Sequence, residues 1–422
     1  MKALALIFEP SFRLVDYFCR NQIFSRFELI KEGCIEIEET FKGGSVYTFG
    51  ESGNSLLRSK MKIHDPIAYS KMALGGSIAT GESFSVGEWS CNSLTDLIRV
   101  FARNRDVVMK VDLGIARLGN LFQKIFHRFH QNSIPGARKN IKAHYDLGND
   151  FFELFLDSNW MYSSAVFLKN ESTLEEAQFE KVDRICRSLN LKPSDHLLEI
   201  GTGWGGFALH AAKYYGCKVT TTTISEKQFE LATKRVRDSG LQDQITVLKK
   251  DYRLLEGQFD KLVSIEMIEA VGLDYLGIYF EKCSSLLKPE GEMVIQAITI
   301  RDDFYEHAKN NVDFIQRYIF PGSGIPCLEV MSRLVKEKTD LQITQLEDFG
   351  YHYARTLSVW SERLKSNHHE LTRRGYSEEL YRMFQFYFSY CEGGFLEKTI
   401  SVLQMKFSKP KWNRDSTVGR EQ

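Results

Sequence analysis

The chain has no excess of charge in either direction: 55 Lys and Arg balance 55 Asp and Glu over 422 residues. Without a net field, attraction to a polyanion must come from a local patch. The sequence also lacks the signature of a long basic groove, which argues against a nucleic-acid partner. Its eight cysteines (Cys19, Cys34, Cys91, Cys186, Cys217, Cys283, Cys327 and Cys391) form no C-x-x-C pair. That scatter argues against a disulfide scaffold and against a structural zinc site, so no metal is expected, and it fits a reducing cytoplasm. No window reaches the roughly 18 consecutive apolar residues that a membrane-spanning helix needs. The opening MKALALIFEPSFRLVDYF is broken by Glu9 and Pro10 and has no small-residue cleavage site. It reads as an amphipathic element, not a signal peptide.

What is present is the composition of a globular protein, 43% hydrophobic and 26% charged, at a length that allows two or three domains. From about Phe41 to Ser90, Gly and Ser punctuate short runs such as SVYTF, which predicts short strands joined by tight turns. In LTDLIRVFARN, Leu94, Leu97, Ile98 and Phe101 recur at helical spacing. Together these segments predict a small α+β domain over 1–115 that carries no chemical motif. A basic linker over 116–145 follows, with no acid between Asp112 and Asp146 and with Arg117, Lys124, Arg128, Arg138, Lys139 and Lys142. Leu118, Leu121, Phe122, Ile125, Phe126 and Phe129 add an apolar stripe. Such a helix suits a bilayer surface with anionic headgroups. An interdomain helix packed by its phenylalanines fits the same pattern.

From Leu197 the pattern alternates between strands and helices: HLLEI, FALHAAKYY, CKVTTTTI, SEKQFELATKRVRDSG, ITVLKKD, FDKLVSIEM, YFEKCSSLL and GEMVIQAITI. This succession predicts, over 146–422, an α/β domain with a mostly parallel seven-stranded sheet covered by helices on both faces. The stretch of about 302–344 breaks the rhythm and reads as an insertion that shapes a substrate site. YRMFQFYFSY reads as a helix, and KTISVLQMKF as a strand suited to a sheet edge or hairpin.

The densest motif is LLEIGTGWGG. Glu199 and Ile200 end a strand, Gly201, Thr202 and Gly203 turn, and Gly205 and Gly206 open a helix. Missing side chains let the backbone approach a ligand and adopt positive φ, and the place fits the ligand crevice of open α/β sheets. Gly201, Gly203 and Gly206 also satisfy the dinucleotide pattern G-x-G-x-x-G. Three neighbours favour S-adenosylmethionine. Glu199 would repel a pyrophosphate but could hold a cationic group. Thr221, Thr222, Thr223 and Gln228 offer neutral hydrogen bonds to a ribose, where a dinucleotide site usually wants an acid; Glu226, close by, keeps that rival open. Asp251 and Tyr252 follow ITVLKK, where a carboxylate could reach an adenine amino group.

At this point the sequence resembles the cyclopropane-fatty-acyl-phospholipid synthase family, with the mycolic acid cyclopropane synthases. The likeness runs along nearly the whole chain through KAHYDLGNDFFELFLD, NWMYSSAVF, LEIGTGWGGFALHAA, TTTISEKQFELA, IEMIEAVG, LKPEG, RYIFPG, LEDFGYHYARTL and FYFSYCEGGF. The resemblance implies a class I, Rossmann-like methyltransferase that adds the methyl of S-adenosylmethionine to a cis double bond of a phospholipid acyl chain and closes a cyclopropane. It implies that Tyr162 and Ser163 hold the methionine part of the donor. Gly201, Gly203 and Gly205 would form its loop, with Thr223 and Gln228 near the ribose and Asp251 near the adenine. It implies that Glu269 and Tyr353, with the backbone of Ile298, surround a bound bicarbonate that serves as base. It further implies an enzyme that visits the inner face of the membrane from the cytoplasm, and an N-terminal domain that helps seat it there and contacts a second copy in a homodimer.

Two positions depart from the family pattern. Ser164 stands where many members have Cys, and Gln296 where many have His. Both can donate hydrogen bonds to an anion, but an amide cannot carry the mobile proton of an imidazole. Ring closure is the step most exposed to that loss. Attack of an alkene on a sulfonium methyl leaves a carbocation, which aromatic faces and a carboxylate can shelter. Tyr145, Phe151, Phe152, Trp160, Tyr353 and Phe388 are candidates to line the acyl channel, and each fits ordinary core packing as well. Proton loss from the new methyl gives a cyclopropane; loss from a neighbouring carbon gives an unsaturated methyl branch; reduction gives a saturated branch and needs an electron donor for which no second nucleotide motif exists. A methyltransferase of a non-lipid small molecule shares the same cofactor half. A non-catalytic lipid-binding role would not need Gly201, Gly203, Glu269 and Tyr353.

Overall fold

The computed structural model describes residues 2–50, 57–105 and 147–412, with side chains in the first helix from Leu14 onward. The basic linker over 116–145, Tyr145 included, lies outside the described residues. The chain forms two compact units built from discontinuous segments. One draws on Met1–Phe129, Asn310–Ile319 and Leu357–Thr399, the other on His130–Lys309, Phe320–Thr356 and Ile400–Gln422. The units thus do not follow the contiguous division that the sequence suggests.

The first unit opens with α1 (Lys2–Phe27) and carries a four-stranded sheet, β1 (Cys34–Glu39), β2 (Ser45–Gly50), β3 (Arg58–Ile63) and β4 (Trp89–Cys91), in the order β2-β1-β3-β4. Between β3 and β4 lies α2 (Ile67–Ser85), where the Gly and Ser content predicts only turns. Ala68, Tyr69, Ala73 and Phe84 supply its buried face, and Gly76 (φ 55°, ψ −145°) takes up a kink. Gly81 is glycine for space: a Cβ there would lie 2.3 Å from the Phe314 ring. The helix α3 (Leu94–Arg103) forms as the spacing predicts, capped by Ser93, which accepts from the Asp96 N–H.

In the second unit α4 (Leu174–Ser188) begins at a capping box in which Thr173 and Glu176 satisfy each other's backbone N–H. The strands β5 (His196–Ile200), β6 (Lys218–Thr223), β7 (Ile245–Lys249), β8 (Phe259–Ile265) and β9 (Leu287–Ile300) are parallel neighbours in the order β9-β8-β5-β6-β7. The helices α5 (Gly206–Tyr215), α6 (Glu226–Asp238) and α7 (Leu276–Leu286) connect them. Two apolar clusters form the core. Leu197, Phe207, Ala211, Val219 and Val263 belong to one, and Leu198, Ile200, Phe280, Met293 and Ile295 to the other. Alternate β5 residues thus feed opposite faces, as a sheet buried on both sides requires.

Beyond β9 come α8 (Asp302–Lys309), α9 (Leu328–Lys338) and the strand β10 (Gln342–Asp348). β10 is the sheet's edge, antiparallel to β11 (Ile400–Ser408), which is itself antiparallel to β9. KTISVLQMKF is therefore not an edge strand. The edge is QITQLED, whose mostly exposed polar residues hide it from an apolar pattern. Val330, Met331 and Val335 pack α9 into the core, so much of the expected insertion belongs to the sheet unit. Among the described residues no helix is long and apolar enough to cross a membrane. The helix α10 (Gly350–Ser366) brings Tyr353 to the second unit.

Candidate active site

Every parallel strand ends at the same edge of the sheet, and the turn leaving β5 lies there. Gly201 (φ 100°), Gly203 (φ 51°) and Gly205 (φ 87°) all occupy the left-handed region that disfavours side chains. Gly206 has no room for one: a Cβ would come within 2.5 Å of Met161 Sδ and 2.7 Å of the Asn159 carbonyl. The loop is braced from α6, where the Arg235 guanidinium donates to the carbonyls of Trp204 (2.6 Å) and Asn159 (3.1 Å).

Glu199 is buried and accepts from Thr221 Oγ1 at 2.6 Å, with Thr202 Oγ1 2.7 Å beyond. Burial pushes its pKa up to about 8 against the lowering effect of that hydrogen bond. Thr223 Oγ1 donates to Gln228 Oε1 at 2.9 Å, so the two residues expected near a ribose are adjacent. Asp251 is held by Arg253 Nε (2.9 Å) and Nη2 (2.7 Å). Among the described residues, the buried Tyr252 hydroxyl beside it finds no hydrogen-bond partner, and neither does Gln178 Oε1. Bare glycine backbone, a buried acid and unsatisfied polar atoms at one sheet edge fit an elongated polar ligand such as S-adenosylmethionine.

Tyr162, Ser163 and Ser164 run past this edge. Ser163 Oγ accepts from Lys181 Nζ at 2.7 Å, and its carbonyl accepts from Gln178 Nε2 at 2.8 Å. Lys181 is wholly buried, and desolvation lowers its pKa to about 8 despite the nearby charge of Glu266. Lys181 and Gln178 are not singled out by motif. Their signal is positional: both fall on the apolar face of α4, in step with Leu174, Ala177, Val182 and Ile185.

A third residue that no motif singles out is Glu266, just after β8. Its Oε1 accepts from the Ser164 N–H at 2.8 Å and from Gln296 Nε2 at 2.7 Å, and its Oε2 from Tyr353 Oη at 2.7 Å. Gln404 Nε2 donates to Gln296 Oε1 at 3.0 Å, which fixes the amide with its NH2 toward Glu266. Glu266 has φ 48°, a conformation that costs a non-glycine residue about 1–3 kcal/mol and is tolerated where surroundings over-determine it. Here they do, for its N–H also bonds the Gln296 carbonyl at 2.7 Å. One turn on, Glu269 Oε1 accepts from the Ile298 N–H, while the buried Oε2 has no hydrogen-bond partner among the described residues. Burial, then the Glu266 charge, pushes the Glu269 pKa up to about 8. Burial raises Glu266 also, opposed by Tyr353, Gln296 and Ser164.

The fold therefore gathers Ser164, Glu269, Gln296, Ile298 and Tyr353 from four separate stretches of chain. It gathers them, however, around a carboxylate of the protein. The donors expected to hold bicarbonate are spent on Glu266 and Glu269, so the residues as placed do not fit that ion. Among the aromatics, Phe151, Phe152, Phe155, Trp160, Tyr162 and Trp204 form a connected cluster, with rings 5.2 Å apart between Phe152 and Trp204 and 5.3 Å between Phe152 and Tyr162. Phe388 is not among them; it packs in the first unit against Trp360 and Phe384.

Comparison with known proteins identifies the family. The family model described as mycolic acid cyclopropane synthetase matches residues 133–405. The tuberculostearic acid methyltransferase of Mycobacterium tuberculosis is 35% identical over 350 residues, covering 81% of both chains. The cyclopropane-fatty-acyl-phospholipid synthase of Escherichia coli K12 is 34% identical over 364 residues, covering 84% of this chain and 89% of the relative. Among solved structures, a cyclopropane synthase from M. tuberculosis superposes with a TM-score of 0.60 at 30% identity, over 64% of this chain and 98% of that one. The chain belongs to the family of cyclopropane-fatty-acyl-phospholipid and mycolic acid cyclopropane synthases, α/β class I methyltransferases that take their methyl group from S-adenosylmethionine.

Proposed function

We propose that this methyltransferase acts on a cis double bond within an unsaturated acyl chain of a phospholipid, and that the product is a cyclopropane fatty acid. The observation that carries the reading is the pairing of a glycine turn fit for the donor with two neighbouring carboxylates, the partly buried Glu266 and the buried Glu269, at the same sheet edge. The donor supplies an electrophilic methyl; the chain's residues position it, exclude water and accept a proton. Tyr162, Ser163, Gly201, Gly203, Gly205, Thr223, Gln228, Asp251 and Tyr252 are the proposed donor-binding residues, with Glu199 at the strand end. Bringing an alkene close and in line with the methyl is the main requirement. The aromatic cluster around Phe152 offers faces to a carbocation that arises beside it.

A second reading, an unsaturated methyl-branched acyl chain, is favoured by Gln296. Its amide holds Glu266 in place but moves no proton, so the site that receives the proton differs from an imidazole-assisted one. Expression in a host lacking the activity, followed by lipid mass spectrometry, separates the readings. A gain of one CH2 without unsaturation that hydrogenation removes supports the ring, and a branched product that retains an alkene overturns it. The enzyme would approach the bilayer from the cytoplasmic side, with the basic segment over 116–145 as its proposed contact with anionic headgroups. The N-terminal region is proposed to help seat it there and to contact a second copy.

A further inference from the structure

Three donors from three parts of the chain, the Ser164 N–H, the Gln296 amide and the Tyr353 hydroxyl, converge on one planar O–C–O group, the side chain of Glu266. A carboxylate and a bicarbonate ion present the same pair of oxygens to such donors, and donors engaged by the one are not open to the other. Glu266 is partly buried, and charge-assisted hydrogen bonds replace the water that its carboxylate gives up. Lys181 and Glu269 are the other charged groups that act on it. Among the described residues Glu269 Oε2 has no hydrogen-bond partner, whereas both oxygens of Glu266 are engaged by groups that orient it. The backbone is held in the left-handed region at this residue, where glycine would be relaxed. A costly conformation kept at a hydrogen-bonded charge points to a functional position.

We propose that the Glu266 carboxylate stands in place of a bound bicarbonate as the proton acceptor, so that this enzyme carries its base as a side chain and needs no added anion. This inference rests on the acyl-methylation reading above. In the step it serves, the alkene π pair forms a bond to the donor methyl carbon as the S–CH3 bond breaks, leaving S-adenosylhomocysteine and a cationic chain carbon. A C–H bond of the new methyl then breaks: its proton passes to Glu266, and its electron pair closes the ring on the cationic carbon. The proton is released to water when the product leaves.

The test uses the full-length protein in bicarbonate-depleted buffer, with unsaturated phospholipid vesicles and S-adenosylmethionine. Wild-type turnover is expected to be unchanged by added bicarbonate. Glu266→Gln is expected to lose about 10²–10⁴-fold in turnover, the range general-base groups contribute, with donor affinity retained. Glu266→Gly, which relaxes the backbone and opens the anion space, is expected to recover part of its activity when bicarbonate is added. Titration with ¹³C-bicarbonate followed by NMR provides a readout independent of turnover: Glu266→Gly binds the ion and the wild type does not. Glu266→Ala replaces the glycine variant if that one fails to fold. Bicarbonate binding to the wild type, activation of the wild type by bicarbonate, or full activity of Glu266→Gln overturns the inference. A protein that methylates no acyl chain refutes the functional reading instead, and the ¹³C titration still decides whether Glu266 closes the anion space.

Discussion

If Tyr353 acts through Glu266, removing its hydroxyl must cost more when position 266 is charged than when it is neutral. Tyr353 Oη donates to Glu266 Oε2 at 2.7 Å, in a part-buried position. A hydrogen bond to a charged group is worth about 1.5–3 kcal/mol and a neutral one about 0.5–1.5 kcal/mol. Tyr353→Phe should therefore destabilise the wild type by about 1.5–3 kcal/mol near neutral pH, and the Glu266→Gln background by about 1 kcal/mol less. Urea unfolding of the four proteins, with slopes checked for constancy, measures both costs. Other contacts of the tyrosine cancel in the cycle. Equal costs in the two backgrounds, to within about 0.3–0.5 kcal/mol, would refute the coupling, because that is the additivity expected of independent sites.

Three further outcomes follow from the same geometry. Glu269 has a folded pKa of about 8 against an ordinary 4.5, so the folded state holds its proton more tightly and stability declines as pH rises from about 4.5 to about 8. Glu269→Gln should abolish that portion of the decline; parallel urea titrations across this window that keep the wild-type slope would contradict it. Gly206→Ala forces a Cβ against Met161 Sδ and the Asn159 carbonyl, and should cost about 1–3 kcal/mol as an overpacked site, with weakened donor binding by calorimetry. Asp251→Asn loses the charge that clamps Arg253 and should weaken donor binding by about tenfold or more; unchanged affinity would remove Asp251 from the donor site.

The donor half of the site was legible because its signals are local. An apolar HLLEI run leads directly into glycines at positions of positive φ, and a threonine-rich second strand follows after a single helix. The parallel sheet follows from the same alternation. Legibility failed where the reason for a residue is tertiary. Glu266 reads as the polar end of a strand until three donors from distant segments are seen to meet it. Lys181 looks like one of many helix lysines, although its place on the apolar face of α4 is a readable warning. In α2 the Gly and Ser residues that suggest turns instead permit close packing, as the 2.3 Å approach at Gly81 shows. β10 was hidden for the opposite reason, since an edge strand needs no apolar alternation. Gln296 departs from the family pattern in the sequence itself, but the Glu266 carboxylate that its amide meets is evident only in three dimensions.

The most direct measurement is mass spectrometry of unsaturated phospholipid vesicles incubated with the purified protein and S-adenosylmethionine labelled as CD3. Methyl transfer followed by proton loss from the new methyl places CD2 on the acyl chain, in a product that mild hydrogenation leaves unchanged. Label confined to the headgroup, or unlabelled lipid recovered from a protein that binds the donor, would contradict the proposed chemistry.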